Sequence, residues 1–136
     1  MKISIKELNV EDTNVDRSIK FLKQSFMIKD QLKKLEEFEQ AFIQRFNGDE
    51  SQQPDSADLM NYSYEDSKKT VAVIENMSDF ISHVLHKESS KTFSKKMDNL
   101  NLEQFVMIFE KIATAIQMGD VDLDADSVAQ AKSGKE

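Results

Sequence analysis

The sequence contains no cysteine, and that single absence removes disulfides, zinc–thiolate centres and thiol catalysis together. It has no tryptophan, and only three glycines, one proline and two histidines. Phosphate-cradling glycine loops and imidazole chemistry therefore have little material to draw on. No apolar run approaches the ~18 residues that a membrane span requires, and the N-terminus lacks a signal peptide's apolar stretch. A cytosolic protein is expected. Acidic groups outnumber basic ones, 25 to 18, for a formal charge of −7. The dense cationic face that duplex nucleic acid requires is not expected in such a chain.

What is present fits a single domain: 136 residues, 39% hydrophobic and 32% charged, against a usual domain size of ~100–150. The charge is unevenly spread. Residues 1–46 carry nine basic and eight acidic side chains, and residues 67–118 carry seven and six. Residues 47–66 hold six acidic groups and no basic one, and residues 119–136 hold five acidic and two basic. The acidity thus belongs to a connector and a tail, which also contain every Gly and the only Pro. Such composition is expected of mobile segments.

Coarse patterning reads as mainly α: a small bundle of four to five helices with a short N-terminal strand, an acidic connector and a disordered acidic C-terminal tail. Residues 1–118 form one helical domain, with 47–62 a flexible acidic connector, and 119–136 the tail. Ile3 and Ile5 alternate with Lys2, Ser4 and Lys6, a strand pattern over Met1–Asn9 that needs a partner edge. Thr13, with Asp16 three residues on, resembles a helix capping box.

Val15, Ile19, Leu22 and Phe26 follow at helical spacing, and then Ile28, Leu32, Leu35, Phe38, Phe42 and Phe46 make a second stripe. At 100° per residue the two stripes are centred about 150° apart. Either the helix breaks near Met27–Asp30, the preferred reading, or one long helix offers two faces to two partners. Ser63-x-x-Asp66 is expected to open the next helix, whose apolar face is Val73, Ile74, Met77, Phe80, Ile81, Val84 and Leu85. Thr92–Leu100 reads as a short helix with Phe93 and Met97 inward. Asn101 caps a last helix striped by Leu102, Phe105, Phe109, Ile112 and Ile116, with Gly119 at its end.

Chemical constellations yield to plainer readings. Asp120, Asp122, Asp124 and Asp126 resemble the start of a calcium loop, but Ala125 and Ala131 occupy the positions that need Gly and Glu. A solvated tail is preferred. His83 and His86, with Asp79 and Glu75, could converge on a divalent ion, yet that face lies opposite the apolar stripe. Glu36/Glu37 and Glu103/Glu110 lack any sign of the cleft that acid–base work needs. No enzyme activity, cofactor or metal is expected. The nine Phe and seven Met are the oddity. Phe21, Met27, Met107 and Met118 fall off the main stripes, and flexible Met with rigid Phe on helix surfaces suits protein binding.

The segment Val71–Ile116 resembles the tail assembly chaperones of long-tailed (siphovirus-type) bacteriophages. In that family a helix ends in an aliphatic/aromatic pair. A polar turn, a Phe-Thr/Ser element and an acidic-Gly-Leu step into the last helix follow. Val84-Leu85, Phe93-Ser94 and Asp98-Asn99-Leu100 are the matching positions. His86-Lys87-Glu88 replaces a Phe/Gly-Asn turn, and Asn99 replaces Gly, a swap that a left-handed backbone tolerates. The resemblance implies a chaperone that binds and solubilises the hydrophobic tape measure protein. It also implies recruitment of tail tube subunits, self-association into oligomers or spirals, action in the host cell cytoplasm and absence from the mature virion. Such chaperones commonly have a longer frameshifted form, with which Gly134-Lys135 is compatible.

The expected function is therefore non-enzymatic, with protein-binding contacts at Phe21, Met27, Phe38, Phe42 and Met107. Nucleic acid and membrane are not expected partners. The rivals are a secretion-type helical chaperone or adaptor, a minor structural virion protein, and a metal-dependent enzyme using His83 and His86.

Overall fold

The computed structural model describes residues 2–46 and 53–118. Along the chain run β1 (Lys2–Ile5), a 3-10 turn (Lys6–Leu8), β2 (Val10–Asn14), α1 (Ile19–Phe46), α2 (Ser56–Val84), α3 (Lys91–Asp98) and α4 (Leu102–Met118). Among the described residues the protein is mainly helical, with four helices and one small antiparallel sheet.

The N-terminal strand finds its partner within the chain. Lys2 pairs with Asn14, Ile3 with Thr13 and Ile5 with Val10, so β2 carries an extra residue between the last two pairs. Asp12 absorbs that bulge with φ 45°, and its N–H donates to Ser4 Oγ at 3.0 Å. Asn9, at φ 55°, closes the turn between the strands. Thr13 therefore belongs to β2 rather than capping a helix, correcting the capping-box expectation. Ile3, Ile5, Leu8, Val10 and Val15 all bury into the common core. Two hydrogen bonds fasten the hairpin: Lys111 Nζ donates to Ser4 O at 2.6 Å, and Asp16 N donates to Val84 O at 3.0 Å.

α1 is one unbroken helix of 28 residues, about 42 Å long at 1.5 Å per residue. The expected break near Met27–Asp30 is absent, because nothing there interrupts the backbone ladder: no Gly or Pro stands between Ile19 and Phe46. The two apolar stripes are two faces of the same helix. The inward face is Phe21, Ser25, Ile28 and Leu35, all buried, with Leu32 half-buried between them. Ile19 and Phe26, from the first stripe, face solvent.

α2 begins at Ser56, well before the expected Ser63 start, so the connector drawn over 47–62 is too long by a helical segment. Asp55 is its N-cap. Asp55 Oδ1 accepts from Asp58 N at 2.8 Å, and Asp58 Oδ2 accepts from Asp55 N at 3.2 Å, a reciprocal box that satisfies two orphan donors. Pro54 immediately precedes it. α2 buries Val73, Met77, Phe80, Ile81, Val84 and Leu85, the face expected from its spacing, with Ile74 at the margin.

The α2 C-terminus closes in a Schellman arrangement. Lys87 N donates to Ser82 O at 2.8 Å and His86 N to His83 O at 3.1 Å, with His86 left-handed at φ 55°. Ser90 caps α3 by accepting from Phe93 N, and Phe93 and Met97 point inward as expected. Asn99 has φ −94°, so the left-handed role foreseen for it falls to His86 instead. Asn101 and Gln104 exchange side-chain to backbone bonds at 2.8 and 2.9 Å at the start of α4. Phe105, Ile108, Phe109, Ile112 and Ile116 fill its inner face.

The centre of the core is aromatic. Phe80 and Phe109 meet edge-on at 5.4 Å between centroids, and Phe21 meets Phe80 at 6.3 Å. Past this centre the α1–α2 pair continues as a two-helix arm. Beyond Leu35 on α1 and before Val73 on α2, no described side chain is buried. The tail 119–136 and the Gly119 cap lie outside the described residues.

Candidate functional site

The five residues expected to bind a partner occupy four different settings. Phe21 is 5% exposed and packs on Phe80, so it is a core residue and leaves the contact set. It falls off the first stripe because it belongs to the inward face, which the polar Ser25 interrupts in the sequence. Ser25 is fully buried, its hydroxyl donating to Leu22 O at 2.7 Å. That internal bond lets a polar residue lie in an apolar seam.

Met27 is 50% exposed on the outer face of α1, and Met107 is 53% exposed on α4. Met107 borders an open cleft of about 520 Å³ between α4 and the β-hairpin, beside Lys111 and Ile5. Met118 is also exposed. Phe38 and Phe42 are half-buried in the arm. Both rings stack on Tyr62 of α2, at 5.5 and 3.9 Å between centroids. Phe46 closes the series edge-on to Phe42 at 5.1 Å. The Phe38 and Phe42 stacks on Tyr62 hold the arm together, and the three rings line a shallow cleft of about 380 Å³ with Arg45, Asp58 and Asn61.

The structure exposes further large apolar side chains. Ile19, Phe26 and Ile43 are exposed on α1, and Leu59, Met60, Tyr64 and Val71 on α2. Met60, Tyr64 and Val71 recur at intervals of four and seven, one outer stripe of α2. The stripe was legible in principle. A connector reaching Tyr62 separates Met60 from the other two. Cations lie over several of the surface rings: Lys29 over Phe26 at 6.0 Å, Lys68 over Tyr64 at 5.0 Å and Lys69 over Phe38 at 5.1 Å. These stems cover apolar surface while their charged ends stay in water.

The arm also holds a carboxyl pair. Hydrogen bonding to Asp66, then burial, then the charges of Asp66 and Glu36 hold the Glu39 pKa above the ordinary glutamate value. Asp66 Oδ1 is buried without a hydrogen-bond partner among the described residues. Burial first, then the charges of Asp66 and Glu39, raise the Tyr62 phenol. At the other end of the molecule, bonds from Ser18 and then His86 hold Asp16 below its usual range.

The two histidines do not converge. His83 Nδ1 donates to Asp79 O within its own helix at 2.7 Å. His86, past the helix end, meets Asp16 Oδ2 at 3.0 Å. Among the described residues no three acidic or imidazole groups gather as a metal site, and no helix is long and apolar enough to cross a membrane. Compared with protein-family models, curated proteins and solved structures, the chain matches none.

Proposed function

We propose that this chain is a non-enzymatic assembly chaperone of the phage-tail kind. In this reading it binds the tape measure protein in the host cytoplasm, keeps it soluble, brings it to tail tube subunits and is left out of the finished particle. One observation carries the reading. Two long helices run past a small, well-packed core and present apolar side chains on faces that no other described element covers: Phe26 and Met27 on α1, Met60, Tyr64 and Val71 on α2.

Exposed apolar strips of this kind suit helix-in-groove recognition of an amphipathic client. Met supplies adaptability where the client's stripes vary in shape. The resemblance of Val71–Ile116 supplies the identity of the client. Within that segment the helix end, the Phe93 element and the Asp98-Asn99-Leu100 step towards the last helix all have hydrogen-bonded local structure.

Co-expression tests it. A tape measure protein from the same genome, expressed alone, is expected in the pellet. With this chain it is expected in the supernatant as a co-purifying complex. Insolubility of that client at every ratio of the two proteins overturns the reading.

A further inference from the structure

We propose that the outer face of α1 from Ile19 to Lys34 is a docking strip for an acidic amphipathic helix; the identity of that helix as a client segment rests on the chaperone reading above. The strip combines two properties. Ile19, Phe26 and Met27 are large, apolar and exposed, Phe26 at 51%. Around them the charge is mostly positive: residues 19–34 carry five lysines and one aspartate, a net of +4.

Helical spacing puts Ile19, Lys23, Phe26, Asp30 and Lys33 on one side, and all five are exposed. That side is opposite the buried Phe21, Ser25, Ile28 and Leu35. The partner that complements such a surface has an apolar stripe edged with Asp or Glu. The apolar stripe removes Phe26 and Met27 from water, and the acidic edges pair with Lys20, Lys23, Lys33 and Lys34.

The charge pattern also limits the partner's length and kind. Residues 1–18 carry a net −1 and residues 35–46 a net −2, so the basic stretch is bounded at both ends. The strip is about 22 Å long, four turns of helix. A long polyanion, whether nucleic acid or an anionic lipid surface, would overrun it into acidic territory. A short helix would not. The near-neutral total of residues 1–46 conceals this arrangement.

Three synthetic peptides of about 15 residues, matched to the strip, test it by fluorescence anisotropy on the full chain. They share a Leu-based apolar face and differ in edges of Glu, Ser or Lys. The Glu-edged peptide is expected to bind about ten-fold tighter than the Lys-edged one. Phe26→Ser is expected to weaken it about five-fold, and Lys23→Glu with Lys33→Glu to reverse the order of preference. All these side chains are exposed, and circular dichroism checks that the variants remain folded.

Equal binding of the three peptides overturns the proposal. So does tighter binding of oligo-dT or phosphatidylglycerol vesicles that Phe26→Ser leaves unchanged, or sedimentation showing the strip occupied by a second copy. The chaperone reading fails separately. If the Glu-edged peptide binds as expected but the tape measure protein stays insoluble, the strip stands and the client assignment falls.

Discussion

Glu39 of α1 and Asp66 of α2 meet as two carboxyl groups across the arm, with Asp66 and Glu36 together raising the affinity of Glu39 for its proton. At least one of the two must hold a proton for them to share a hydrogen bond. With both groups ionised, the arm is closed over a like-charge contact.

The sign of the consequence follows from linkage. A pKa raised on folding gives stability that is present below the unfolded value, about 4.3, and lost as pH rises through the folded value. Backbone amides of the arm are therefore expected to be better protected from exchange in mild acid than at neutrality, after correction for intrinsic rates. Glu39→Gln should remove the pH dependence and stabilise the arm at neutral pH by about 0.5 kcal/mol, the scale of partly solvated like-charge contacts. Persistence of the pH dependence in Glu39→Gln would show that another group controls it.

Asp16 behaves in the opposite sense. Its carboxylate accepts from Ser18 N at 2.9 Å and from the Ser18 hydroxyl, and it reaches His86 Nε2 at 3.0 Å. These bonds depress its pKa, so the stabilisation is present above the unfolded value, about 3.9, and is lost as pH falls through the folded one. The side chain turns the backbone from β2 into α1 and ties that turn to the end of α2. Asp16→Ala is expected to cost about 1 kcal/mol in urea unfolding at neutral pH, and less in strong acid. A cost independent of pH would assign the loss to backbone conformation instead.

The start of α2 offers a test confined to the arm. Asp55 and Asp58 cap one another's backbone N–H groups, and Tyr62, one turn further on, supports Phe38 and Phe42. Asp55→Ala should cost about 1 kcal/mol, and Tyr62→Ala about as much again through lost ring contacts. Both effects should register as faster exchange in residues 56–66. Protection around Phe80 and Phe109 should not change, because no buried side chain links the distal arm to the core. Uniform loss of protection would mean that arm and core unfold as one unit.

The sequence made some elements legible and concealed others for identifiable reasons. The apolar faces of α2 and α4 could be read directly, since Met77, Phe80, Phe109 and Ile112 recur at helical spacing with no competing stripe. The hairpin's first strand was visible in Ile3 and Ile5. Its second was hidden, because the Asp12 bulge breaks the alternation that would have marked Val10–Asn14. The pattern suggests a break in α1 at Met27–Asp30 that the helix does not have, because a solvent-facing stripe looks the same as a buried one in hydropathy alone. Ser25, internally bonded, removed the apolar signal where the true face continues. The first turns of α2 carry acidic and small residues that cap well but show no period, so Asp55 was read as connector. Exposed apolar residues carry the same ambiguity: Met27 and Met107 stand out by falling off the main stripes and are exposed, whereas Met60 lies within the expected 47–62 connector and Tyr64 just past it.

Phe21 and Met27 separate folding from the proposed binding most cleanly, because they lie six residues apart on one helix, about 120° round its axis, the first buried and the second half exposed. Phe21 packs against Phe80 at the aromatic centre, so Phe21→Ala removes a buried ring and should destabilise the protein by about 3–5 kcal/mol. Any loss of client retention in that variant would follow its loss of fold. Met27 makes no comparable buried contribution, being half exposed, so Met27→Ser should leave unfolding midpoints within about 0.5 kcal/mol of wild type. The same substitution removes apolar area from the outer strip, so the soluble fraction of the client should fall while this protein stays folded. Thermal denaturation and client co-purification on the two variants measure both quantities. A Met27→Ser chain that holds its client as well as wild type would move the binding surface off α1 and onto the Met60–Val71 stripe of α2.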